Sequence, residues 1–199
     1  MYYSDYMTDK TEQKIIDSAL KIFAEKGYTG ATTRVIASDA GFTEMTLYRK
    51  FKTKENLFKA VLNRSNQKMM EDFGLIFMDK KFKNPRNSVS GPRNEVSYGS
   101  REFLEILIRN LVKLGQNNFE FIKITMNESN RISGNFIEEF VDHISIYVEK
   151  NVQNKEMDYR IFVFNILSFI YLLLLNYGHS FKDQEEAIDK FINNIFVCP

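Results

Sequence analysis

Thr32–Phe58, TTRVIASDAGFTEMTLYRKFKTKENLF, is the stretch on which the reading of this chain turns. Thr32 is placed to cap a short helix from Thr33 to Ala40, and Gly41 closes it. Thr43 caps a second short helix that runs to about Lys50, and Phe51-Lys-Thr53 breaks it. Ile36, Ala37 and Ala40 of the first helix can then meet Leu47 and Phe51 of the second, with small alanines permitting a close crossing. That is the spacing of a helix-turn-helix over about 32–51, whose second helix enters a DNA major groove while neighbouring groups hold phosphates. Thr43, Glu44, Thr46, Tyr48, Arg49 and Lys50 are left facing out. A plain helical hairpin with a solvated charged face fits the same spacing.

Outward from this stretch the pattern stays helical. Upstream, Asp9 and Glu12 read as a capping box, and Ile15, Ile16, Ala19, Leu20 and Phe23 form one stripe that Gly27 stops. Downstream, Thr53 caps a helix from Lys54 to about Met78, with Leu57, Phe58, Val61 and Leu62 turned back onto the first three. Residues 80–100 hold two of the three prolines and no period, which predicts a flexible loop. Further helices are expected at about 101–117, 118–129, 135–153, 157–179 and 184–197, the last opened by a box of Asp183 and Glu186. The fold class is therefore all-α.

The segment 161–181 carries no formal charge and is long enough to cross a bilayer. Asn165, Ser168, Asn176 and His179 interrupt it, and a second amphipathic helix follows at once. A buried helix pair suits it better than a membrane anchor. The start MYYSDYMTDK lacks a basic-then-apolar signal, and the single Cys198 excludes an internal disulfide or cysteine zinc site, so a cytoplasmic location is expected. His143 and His179 are too dispersed for a metal cluster, and neither a phosphate loop nor a nucleophile–base pair is evident. No catalytic residue, metal or cofactor is expected. The net charge of +1 conceals a basic first half, with 17 Lys and Arg against 12 Asp and Glu in residues 1–100. Arg49, Lys50, Lys52, Lys54 and Lys59 against Glu55 concentrate that charge beside the hairpin, which favours an anionic partner.

The hairpin resembles the DNA-binding signature of the TetR family of bacterial transcriptional regulators. The resemblance rests on Ile36-Ala37, Ala40-Gly41, Thr46-Leu47-Tyr48, Phe51 and Lys54-Glu55-Asn56-Leu57-Phe58, together with Phe23-Ala24-Glu25-Lys26-Gly27-Tyr28 and Thr32-Thr33-Arg34. It covers roughly residues 8–60; many members carry Gly where this chain has Met45. It implies a helix-turn-helix DNA-binding domain at 8–60 and a helical ligand-binding and dimerisation domain at 61–199. It further implies a ligand-responsive repressor that binds a near-palindromic double-stranded operator as a homodimer. A partner-binding coactivator with the same fold is the alternative.

By position, the resemblance implies that Thr33 and Tyr48 donate to phosphate oxygens, with Lys54 adding charge. Arg34, Thr43, Glu44, Met45 and Thr46 lie where base edges should be, and Arg49 and Lys50 could serve either way. Arg can fork onto guanine, Glu can accept from cytosine N4, and Met can touch a thymine methyl. Dimerisation is implied through the last two helices, with Leu172 and Ile192 as test positions. A small hydrophobic effector is implied between residues 100 and 180, where Phe103, Leu107, Met126, Phe140, His143 and Tyr147 are candidates. Phe119, Phe136 and Phe164 are further lining possibilities, and at helical spacing all of these residues read as core first.

Overall fold

The computed structural model describes residues 10–78, 99–132, 136–152, 156–177 and 181–197. Asp9 and nearly all of the expected loop at 80–100 lie outside them. The described residues are helical almost throughout and contain no strand: α1 Lys10–Gly30, α2 Thr33–Asp39, α3 Glu44–Phe51, α4 Lys54–Met78, α5 Gly99–Asn117, α6 Phe119–Asn127, α7 Phe136–Val152, α8 Tyr159–Tyr177 and α9 Phe181–Val197. A 3-10 turn, Ser129–Arg131, follows α6.

Two compact units emerge. The first takes its residues from 1–70 and 118–134, the second from 71–117 and 135–199. In the first, α1 packs on α2 and α6, and α2 on α3. Ile15, Ala19 and Phe23 of α1, Ile36 and Ala37 of α2, Leu47 of α3 and Leu57, Phe58 and Val61 of α4 are all essentially sealed from solvent. Each of these side chains larger than alanine contributes about 1.5–3 kcal/mol through burial. On α1 the sequence stripe is slightly rotated: Ile22 is buried while Leu20 is only half-buried. Gly27 does interrupt this helix, at φ 68°, ψ 172°, and a further turn then carries the chain to Gly30.

The second unit is built from the end of α4 with α5, α7, α8 and α9. Phe103, Leu104, Leu107, Ile108 and Leu111 form the buried face of α5, and Arg109 on its outer side pairs with Glu185 and Asp189 of α9. Ile188 and Ile192 of α9 are 2% and 1% exposed within the single chain. Ile192 therefore belongs to the subunit's own core and is not the surface position expected of it. Its stripe was legible, but its cover is α5 and α8, which both pack on α9. Asp183 also differs from expectation: α9 begins at Phe181, so this carboxylate lies inside the first turn rather than capping it.

The helix α8 is apolar on nearly every side. Val163, Ile166, Ile170, Leu173 and Leu174 are buried, whereas Ile161, Phe164, Leu172 and Leu175 are exposed. The exposed four recur at helical spacing along one face. By length and composition alone, Tyr159–Asn176 could cross a membrane.

Candidate nucleic-acid interface

Local hydrogen bonds fix the hairpin. The Val35 N–H donates to Thr32 Oγ1 at 3.3 Å, capping α2. The turn needs a left-handed residue, and Gly41 supplies it at φ 78°. Nothing lies within 4 Å of where a Gly41 side chain would begin, so backbone conformation rather than space selects glycine there. The Phe42 N–H then reaches the Ala37 carbonyl at 2.8 Å. Thr43 caps α3 by accepting from the Thr46 N–H at 3.3 Å, and its hydroxyl is 3.0 Å from that of Thr46. Lys52, at φ 65°, ends α3 by donating its N–H to the Tyr48 carbonyl, and Thr53 caps α4 through the Asn56 N–H at 3.0 Å. These are the caps that the sequence predicts.

The face so presented is uneven. Met45 is 80% exposed and Tyr48 44%, with Arg34 and Arg49 also in solvent. Thr46, Glu44, Lys50 and Lys54 are half-buried. Thr43 reaches solvent, but its oxygen already serves the cap, which leaves its methyl as the better base contact. Three positions are engaged in ways their expected roles did not include. Thr33 is buried, and its hydroxyl donates to Glu44 Oε1 at 2.5 Å while lying 3.3 Å from the Tyr48 hydroxyl. Glu44, expected at base edges, is thus folded back onto α2. Lys54 sets its ammonium 4.4 Å from the centroid of the Tyr28 ring. Burial pushes the Lys54 ammonium below its ordinary pKa, and the nearby Arg131 charge acts in the same sense.

Two residues absent from the sequence reading complete this unit. Glu128, just beyond α6, accepts the Tyr28 N–H at 2.7 Å through Oε1 and meets Arg131 Nε at 3.3 Å through Oε2. Arg131 also lies 4.8 Å from the Tyr28 ring centroid. Phe23 and Phe58 pack on that same ring. A Cβ at Gly27 would come 3.0 Å from Glu128 Oε1, the movable end of a side chain, so the positive φ selects glycine there and a substitution would also press on this carboxylate. The contact joins positions 100 residues apart, and no local signal announces it.

The expected effector residues are brought together only in part. In the second unit Phe73 contacts Phe77 and Phe140, Phe77 contacts Tyr147, and Tyr147 contacts Phe103, with ring centroids 4.4–5.8 Å apart. Leu107 is fully buried. Burial pushes the Tyr147 phenol up to about 12. Phe73 and Phe77 join this cluster from α4, outside the range from which the sequence reading drew its candidates. His143 does not join it; it is exposed, with Nδ1 2.6 Å from the Glu139 carbonyl of its own helix. Met126 is 42% exposed and sits in the other unit, and Phe164 is exposed on α8.

Residues 15–61 match the family model of bacterial regulatory proteins, tetR family. The same region is similar to curated HTH-type regulators. It is 39% identical over 54 residues to the transcriptional regulator YvkB of Bacillus subtilis, covering 27% of this chain and 29% of that protein. It is 37% identical over 62 residues to QacR of Staphylococcus aureus, covering 31% and 33%. Matched sequence thus spans about a third of these relatives' length. Likeness of fold extends much further. A transcriptional regulator from Aquifex aeolicus superposes with a TM-score of 0.63 over 94% of this chain and 99% of its own, at 20% identity. AibR, solved in complex with isovaleryl coenzyme A and operator DNA, gives 0.66 over 93% and 97%, at 15% identity. At such identity these two structures establish the fold alone.

Proposed function

We propose that this chain, whose residues 15–61 match the model of bacterial regulatory proteins, tetR family, is a sequence-specific DNA-binding transcriptional regulator, acting as a homodimeric, ligand-responsive repressor in the cytoplasm and carrying no enzymatic activity. One observation carries the reading. A short helix, held at a fixed angle by its caps and by buried Leu47 and Phe51, presents a largely exposed Met45 beside Tyr48 and Arg49, with Arg34 exposed at the start of α2. An exposed thioether on a helix that also exposes a guanidinium is poorly suited to water and well suited to a groove holding thymine methyls and guanine edges. Arg34, Thr43, Met45 and Thr46 are assigned to base edges, and Tyr48, Arg49, Lys50 and Lys54 to the phosphate side. In this reading residues 8–60 hold the DNA and 61–199 hold effector and partner.

The homodimer reading is supported by the exposed apolar face of α8, which includes Phe164 and Leu172. A two-fold pair of α3 helices then calls for a near-palindromic operator with half-sites a whole number of turns apart. The aromatic cluster around Tyr147 supports a hydrophobic effector, for which the isovaleryl group bound by AibR is one chemical example. A gel shift on DNA upstream of the chain's own reading frame tests the reading. Retardation that Tyr48→Ala weakens is expected. No retardation at low salt would favour the partner-binding alternative.

A further inference from the structure

The Thr33 hydroxyl has one proton, and it is directed at Glu44 Oε1 over 2.5 Å. Its oxygen can then only accept from the Tyr48 hydroxyl, 3.3 Å away. The Thr33 proton assigned to phosphate is therefore turned inward onto a carboxylate, with the Tyr48 hydroxyl beside it. Thr33 is 8% exposed, so its hydroxyl has little access to water as an alternative partner. A carboxylate and a phosphate oxygen ask the same thing of these donors: an anion at hydrogen-bond distance. The single Thr33 proton cannot serve both at once, and the two anions repel.

We propose that Glu44 occupies, as an internal anion, the position that the Thr33 and Tyr48 hydroxyls offer to a DNA phosphate, so that Glu44 must swing away before that phosphate is bound. This rests on the DNA-binding reading and adds a specificity device to it. Glu44 and Tyr48 are four residues apart on α3, so one rotation of the carboxylate frees the pair and carries it toward the groove. There it regains a hydrogen bond only where a base presents an amino donor such as cytosine N4. Opposite any other base it is left unpaired near phosphates. Glu44 thus weakens binding to every sequence and is compensated at one, which separates operator from bulk DNA by penalty rather than by attraction.

The test is fluorescence anisotropy of a random-sequence duplex titrated with wild type, Glu44→Ala, Glu44→Gln, Thr33→Val and the Glu44→Ala/Thr33→Val pair. Melting of each variant without DNA checks folding. Glu44→Ala should tighten random-duplex binding about fivefold, and Glu44→Gln by less, since it keeps the acceptor and loses only the charge. Thr33→Val should cost more in the Glu44→Ala background than in wild type, because only there is the donor available to phosphate. Duplexes selected by Glu44→Ala should lose base preference at one position per half-site. Folded Glu44→Ala or Glu44→Gln binding random duplex no better than wild type overturns the proposal; it would leave Glu44 as a direct reader or a structural tie. Failure of wild type and all variants to bind any duplex overturns the DNA-binding reading, and this inference with it.

Discussion

Replacing Glu128 should loosen the first unit by more than the loss of an exposed ion pair. The carboxylate side chain is only 16% exposed, and it accepts the Tyr28 N–H at 2.7 Å while pairing with the half-exposed Arg131 guanidinium at 3.3 Å. A hydrogen bond to a charged group contributes about 1.5–3 kcal/mol, and an ion pair with one exposed partner adds no more than about 1. Glu128→Ala also leaves the part-buried Tyr28 N–H without its acceptor and removes the anion between two cations, Arg131 and Lys54. The expected loss is about 2–3 kcal/mol. Glu128→Gln keeps an acceptor oxygen and loses the charge, so about 1 kcal/mol is expected. The assay is urea unfolding at one fixed protein concentration, because association would otherwise shift the midpoint. A loss below about 0.5 kcal/mol for Glu128→Ala would refute the reasoning, placing Glu128 among exposed ion pairs of negligible worth.

Three further expectations concern other parts of the molecule. Leu172→Glu, on the exposed face of α8, should produce a monomer in light scattering, whereas a wild type already monomeric at micromolar concentration would remove the basis for it. Lys54→Ala should weaken binding to all duplexes alike and flatten the logarithmic salt dependence by about one unit; an unchanged slope would confine Lys54 to its place on the Tyr28 ring. The Tyr147 phenol, pushed up to about 12 by burial, should bind its proton more tightly folded than unfolded. Its contribution to stability is therefore intact below the unfolded value of about 10 and is lost as pH rises from there toward 12. Tyr147→Phe should abolish that part of the alkaline loss, read as the melting temperature between those limits.

What the sequence disclosed and what it hid divide along a physical line. Caps are local: Thr32, Thr43 and Thr53 announce the starts of α2, α3 and α4, and each bonds the N–H three residues on. Helical stripes report that a face is buried, not against what. Ile192 was therefore assignable to an interface from its periodicity, although the chain's own helices cover it. His143 lies between Phe140 and Tyr147 in sequence, yet sits at the edge of the buried face of α7 and turns outward. Glu44 faces outward by helical position, but a side chain of that length can reach back to α2, which no helical wheel records. Glu128 was invisible because its partner is a backbone N–H released by the break at Gly27, 101 positions earlier.

The central claim, that α3 reads DNA as one of a two-fold pair, is tested most directly by repeated selection of duplexes from a random pool by the purified protein. The account predicts enrichment of a near-palindrome whose half-sites lie about 10 base pairs, or a multiple, apart. A pool that stays random through successive rounds, or a single unpaired half-site in every recovered duplex, would contradict it.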